Sequence, residues 1–195
     1  MYDYINGRVA ELNPTYVVID NQGIGYLCNI TLNAFSALGN VESATLYIKE
    51  IIREDTHDLY AFLSKEERAL FNLLISVSGV GANTARVILS SLTEKELELA
   101  IASGDVNTLK GVKGIGLKTA QRIIVELKDK IEGISAGDQT DFLASQDNSI
   151  QDEALSALTM LGFNKSQVQK VLKKLLSTPH NYTVEALIKA ALKML

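Results

Sequence analysis

The sequence predicts an α+β multidomain chain: an N-terminal five-stranded OB-type β-barrel, a central helical domain with two helix-hairpin-helix motifs, and a C-terminal three-helix bundle. Three observations carry this expectation. The first 63 residues hold short β-branched and aromatic stretches, whereas from Ser64 apolar residues recur at three- and four-residue spacing. A Gly-aliphatic-Gly segment occurs twice within the helical region, 35 residues apart. Residues 133–148 then lose periodicity before helical spacing returns.

In residues 1–63, strands are expected around Tyr4 to Leu12, Thr15 to Ile19, Gly25 to Ile30, Thr45 to Ile52 and Leu59 to Phe62, separated by turn signals such as Asn13-Pro14 and Asp20-Asn21-Gln22-Gly23. Five short strands fit a small OB-type barrel, with another small β domain as the alternative. Residues 64–132 open with Ser64-Lys65-Glu66-Glu67, a capping box in which Ser64 satisfies a helix-start amide and Glu67 reaches back. Thr93-Glu94-Lys95-Glu96 opens another helix in the same way, and helices are expected to run to about Lys130. Residues 133–148 gather Gly, Ser, Asp, Asn and Gln and are expected to be a flexible linker. Residues 149–195 give three helices, Ile150 to Leu161, Ser166 to Leu176 and Val184 to Leu195, broken at Gly162 and at Thr178-Pro179-His180-Asn181.

Composition excludes several functions. Cys28 is the only cysteine and His57 and His180 the only histidines, so neither a disulfide framework nor a His/Cys zinc site can be assembled; carboxylate-only metal sites stay open. No apolar run is long enough for a membrane span and Met1 to Ala10 does not read as a signal peptide, so a soluble, cytoplasmic protein is expected. The net charge of -4 argues against holding nucleic acid by massed Lys and Arg. Residues 1–63 carry the excess acid, with three basic residues against eight acidic ones.

The repeat carries the functional reading. Ser78-Gly79-Val80-Gly81-Ala82-Asn83-Thr84-Ala85 returns as Lys113-Gly114-Ile115-Gly116-Leu117-Lys118-Thr119-Ala120, each copy set between an apolar stretch and a helix. Glycine lets the first helix end in a left-handed turn and lets backbone approach a ligand without a Cβ in the way. Val80 and Ile115 can tuck beneath the hairpin, and the next amides sit at a helix N-terminus, which suits a phosphate. Thr84 and Thr119 can add hydroxyls, while Lys110, Lys113, Lys118 and Arg122, with Arg86 near the first copy, can add charge. Such a site grips DNA backbone and reads no bases. Each copy taken alone also reads as a mere tight turn between helices. Gly111 and Gly116 followed by Lys118-Thr119 nearly match a nucleotide-binding P-loop, but Leu117 intervenes and no strand precedes, so no ATP or NAD site is expected.

With Arg53-Glu54-Asp55, Leu59-Tyr60-Ala61-Phe62, Gly79-Val80-Gly81 and Gly114-Ile115-Gly116-Leu117-Lys118-Thr119-Ala120 in this order, the chain resembles the RuvA family over essentially its whole length. The resemblance implies a non-catalytic subunit that binds four-way Holliday junctions in recombination, DNA repair and the SOS response. It implies a homotetramer, or two tetramers face to face as an octamer, and recruitment of the RuvB motor, which uses ATP and Mg while this chain needs no cofactor. RuvC resolvase is implied as a further partner. Glu54 and Asp55 would form an acidic pin at the junction centre, although sequence alone reads them as a solvated turn. Leu158, Leu161 and Phe163 correspond to the family's apolar motor-binding surface, beside the plainer reading that they face their own core. Asn83 and Leu117 depart from the family, standing where lysines are common. Other classes stay open: a helix-hairpin-helix glycosylase using Asp129, a metal nuclease built on Glu54 and Asp55, or a protein-binding scaffold.

Overall fold

The computed structural model describes residues 1–135, 146–176 and 182–195. It divides into two units, residues 1–138 and 139–195.

Five strands close the barrel: β1 Tyr4–Asn13, β2 Tyr16–Asn21, β3 Ile24–Asn29, β4 Ser43–Ile52 and β5 His57–Phe62, in the order β1-β2-β3-β5-β4. All neighbours pair antiparallel except β3 and β5, which run parallel through Cys28–Leu59 and Asn29–Tyr60. Alternation fills the interior, with Val17 and Ile19 from β2, Leu46 and Ile48 from β4 and Leu59 and Ala61 from β5 all buried. A short helix, α1 Leu32–Leu38, was not expected from the sequence. The Thr31 hydroxyl accepts from Ala34 N to cap it, and Ala34 and Leu38 complete the barrel core.

β1 pairs with β4 over its first half and with β2 over its second, and changes partner around Gly7 and Arg8. At this corner a Cβ on Gly7 would lie 2.3 Å from Asp20 O. The fold therefore requires glycine there.

Among the described residues of the first unit, α1 is followed by five helices: α2 Lys65–Ser76, α3 Ala82–Ser91, α4 Glu94–Ser103, α5 Val106–Gly111 and α6 Leu117–Ser135. β5 serves both cores, because Leu59 and Ala61 face into the barrel while Tyr60 and Phe62 face out against Phe71 of α2. Polar bonds reinforce this seam. Asn33 Nδ2 donates to Leu89 O at 2.8 Å, Leu32 N to Ser90 Oγ at 3.1 Å, and Arg68 Nη1 to Asp3 Oδ1 at 2.7 Å.

The expected capping box at Thr93 and Glu96 is complete, but the one at Ser64 is only half formed. Ser64 Oγ accepts from Glu67 N, whereas the Glu67 carboxylate reaches past Ser64 to accept from Leu63 N at 3.2 Å and from the Thr31 hydroxyl at 3.0 Å. Glu67 is thereby buried between α2 and α1, and burial raises its carboxyl above the ordinary value of 4.5. The folded protein binds this proton more tightly than the unfolded chain. The contribution of Glu67 to stability thus declines as pH rises from the unfolded value through the folded one. Urea midpoints between pH 4 and 8 are expected to show that the stability of the protein relative to its Glu67→Gln variant falls across that window. A difference that stays constant with pH contradicts this assignment.

The second unit contains α7 Gln146–Met160, α8 Lys165–Leu176 and α9 Val184–Leu192 around Ala154, Leu158, Val168, Leu172, Leu187 and Ala191. Helix occupies both ends of the stretch expected to be a flexible linker, since α6 runs through Ser135 and α7 starts at Gln146. The rest of that stretch, and the expected break at residues 178–181, lie outside the described residues.

Candidate nucleic-acid interface

The two hairpins are built alike. In the first, Val77 N donates to Leu74 O, Val80 N to Val77 O and Ala85 N to Gly81 O. The second repeats all three bonds, from Val112 N to Leu109 O, Ile115 N to Val112 O and Ala120 N to Gly116 O. Gly79 and Gly114 share a φ of +89°, the left-handed turn that glycine permits. Val80 and Ile115 are buried beneath the turns, at 5% and 6% exposure, and Ala85 and Ala120 allow the helices to pack closely.

Each hairpin exposes its glycines and the polar residues around them. Gly79, Gly81, Asn83, Lys113, Gly114, Gly116 and Lys118 are exposed, with Thr84 and Thr119 half-buried beside them. Gly81 has an extended conformation, φ -87° and ψ 171°, and makes no side-chain cap to α3. Gly116 lies outside the positive-φ set, and at both positions an added Cβ would meet nothing within 4 Å. Nothing inside the protein therefore demands glycine at 81 or 116. Glycine at these positions leaves the starts of α3 and α6 without a side chain in the path of a group approaching their first amides. Neither helix has an acidic residue in its first turn to repel a phosphate.

The expected cations fall in different places. Lys113 and Lys118 flank the second hairpin and are exposed. Arg86 instead turns onto the barrel, where Nη1 donates to Thr15 O and to Asn29 Oδ1, each at 3.0 Å. The sequence places Arg86 beside the first hairpin, and the structure brings this nitrogen to two acceptors on the barrel-facing side of α3. Arg122, expected at the second hairpin, donates through Nη1 to Ser78 O of the first at 2.9 Å. Ser78 was not singled out from the sequence.

Glu54 and Asp55 occupy the turn between β4 and β5, which Arg53 N closes by donating to Thr56 O at 2.8 Å. All four turn residues are exposed. Both carboxylates thus project from the barrel on a short loop held by paired strands, within the same unit as the hairpins.

In the second unit, Leu158 is fully buried in the three-helix core and so cannot itself meet a partner. Phe163 packs partly against that core. Leu161 is 63% exposed and its neighbour Met160, which sequence reasoning passed over, 88%. Both sit where α7 ends: Phe163 N donates to Leu158 O and Gly162 N to Thr159 O, a Schellman turn with Gly162 at φ +95°.

Among the described residues, no group of three or more His, Cys, Asp or Glu is placed to hold a metal, and no helix is long and apolar enough to cross a membrane. The P-loop-like stretch is preceded by α5, not a strand, and Asp129 is exposed on α6 between exposed Lys128 and Lys130.

Comparison with known proteins agrees with this layout. Residues 1–61 match the RuvA N terminal domain, residues 71–129 the SAM-like Helix-hairpin-helix tandem, and residues 149–195 the RuvA, C-terminal domain. Proteins named Holliday junction branch migration complex subunit RuvA from Christiangramia forsetii and Bacteroides fragilis are 50% and 51% identical, with both chains covered in full. The protein of that name from Flavobacterium psychrophilum is 48% identical, again across the whole of each chain. With the barrel, the paired hairpins and the C-terminal helices each matched in order, the chain belongs to the RuvA family.

Proposed function

We propose that this chain is the DNA-binding subunit of a branch-migration complex, holding four-way Holliday junctions by their backbone and recruiting the RuvB motor. The observation that supports this is the pair of hairpins with one geometry, each keeping before its helix a glycine at which an added Cβ would meet nothing inside the protein. Helix-start amides and the positive dipole end hold phosphate oxygens with no base contact, so binding is independent of sequence. An acidic protein can bind DNA in this way because the donors are neutral amides.

Four copies around a junction, as a tetramer or as half of an octamer, would bring Glu54 and Asp55 from every subunit to the centre. Carboxylates near phosphates repel by about 1 kcal/mol per close pair in water, more where desolvated, which steers strands into separate arms. The chain breaks no bond and needs no cofactor of its own; ATP and Mg serve the motor. The C-terminal unit offers Leu161, Phe163 and Met160 as an apolar contact for RuvB, and because it belongs to the same chain as the hairpins, a motor bound there is held at a raised local concentration near the junction. RuvC is a further partner, and the assembly works in the cytoplasm.

The test is binding to a synthetic four-way junction and to linear duplex of the same arm sequences. The junction is expected to bind more tightly by about a hundredfold or more, the order seen when linked sites engage one ligand together. Equal affinities would reject structure-specific recognition, and base release from damaged duplex would favour a glycosylase instead.

A further inference from the structure

The two hairpins share a backbone but not a charge. Along the 35-residue repeat, Ser78 and Asn83 stand where the second hairpin has Lys113 and Lys118, and Val87 stands where it has Arg122. The first hairpin thus lacks basic side chains from residue 77 to 85, and Arg86 is engaged with the barrel. Arg122 reaches it from α6, bonding to Ser78 O across 44 residues of sequence. A Cβ at Gly79 would lie 3.8 Å from the same nitrogen, so the guanidinium sits against the peptide that enters the left-handed turn.

This contact joins the repeats in one direction only. Val87, the counterpart of Arg122, has no donor to return to the second hairpin. A planar guanidinium carries its donors on a rigid end group, so Arg122 reaches the Ser78 carbonyl with less freedom to lose than a flexible ammonium. Its positive charge strengthens that bond relative to a neutral pair.

We propose that Arg122 is a positioning residue that fastens the first hairpin to the helix rising from the second, so that both sets of amides meet one DNA backbone at a fixed separation. This rests on the phosphate-binding reading of the hairpins. The shape of the first hairpin depends on α6, whereas the second hairpin makes no matching demand on α3.

The experiment uses the full chain with Arg122→Ala and Arg122→Lys. Without DNA, deuterium uptake in a peptide covering residues 77–82 is expected to quicken about fivefold or more in Arg122→Ala, while the matching peptide 112–117 is unchanged. Unchanged uptake in both, or a uniform rise across the unit with a lower unfolding midpoint, overturns the proposal. With a four-way junction, the affinity losses of Arg122→Ala and Gly79→Ala are expected to be less than additive, and those of Arg122→Ala and Gly114→Ala additive. Coupling to Gly114 in place of Gly79 would make Arg122 a phosphate ligand of its own helix and overturn the proposal. Lysine keeps the charge without the planar group that sits against the Gly79 turn, so Arg122→Lys is expected to recover only a minor part of the affinity, and full recovery shows that charge alone suffices and counts against positioning. If the parent protein binds neither junction nor duplex, the phosphate-binding reading fails by itself, and the uptake of peptide 77–82 still decides whether Arg122 braces the turn.

Discussion

Gly81→Ser and Gly116→Ser are expected to leave the protein folded, or stabilise it by about a few tenths of a kcal/mol, while each lowers junction affinity about tenfold or more. The two effects have one cause. Both glycines occupy the position before a helix, neither with a positive φ, and both with open space around the Cβ. Serine is a good residue there because its hydroxyl accepts a bond from a first-turn amide. That amide is one the account assigns to phosphate, so the cap competes with DNA and its Cβ obstructs the approach. Thermal unfolding and anisotropy titration measure the two quantities separately. A variant that binds as tightly as the parent shows that the hairpins are turns and nothing more.

Gly7→Ala is expected to have the largest effect on stability, about 4 kcal/mol or more, because the new methyl would sit on the Asp20 carbonyl and close to Ile19 Cγ2 at 2.8 Å. β1 changes partner here, so relief by moving the strand breaks pairing with either β2 or β4. A denaturation midpoint near that of the parent would mean that the corner has slack that the structure does not suggest. Loss of the barrel would also remove the support beneath Tyr60 and Phe62, and with it part of the packing of α2.

Most of this architecture was legible because it rests on local rules. The strands follow from alternation, as at Val17 and Ile19, and the hairpins from glycine at fixed offsets. The reading missed what depends on contacts distant in sequence. α1 escaped because seven residues with two buried side chains carry little periodicity, and Thr31 acts both as its cap and as a partner of Glu67, 36 positions on. Glu67 fitted a capping box in sequence, yet burial against α1 gave its carboxylate other donors. Arg86 and Arg122 were assigned by proximity along the chain, but a long guanidinium goes to acceptors that the fold brings near: Thr15 and Asn29 for one, Ser78 for the other. The absence of an arginine at 87, opposite Arg122 in the repeat, was a visible sign that the second copy does something the first does not. Leu158 and Leu161 lie three residues apart, but the end of α7 falls between their roles: Leu158 stays in the core and Leu161 passes into the exposed turn.

The central claim is that amides, more than charges, hold the phosphates, and the salt dependence of junction binding tests it most directly. Asn83 and Leu117 are exposed at the start of α3 and α6, beside the amides in question. Titrations of the protein and of its Asn83→Lys, Leu117→Lys double variant over the same salt range give two logarithmic slopes. The account predicts a shallow slope for the protein and a steeper one for the variant, by about 0.9 for each phosphate that an added lysine neutralises. A parent slope equal to or steeper than that of the variant would mean that existing cations already carry the grip, and would contradict the account.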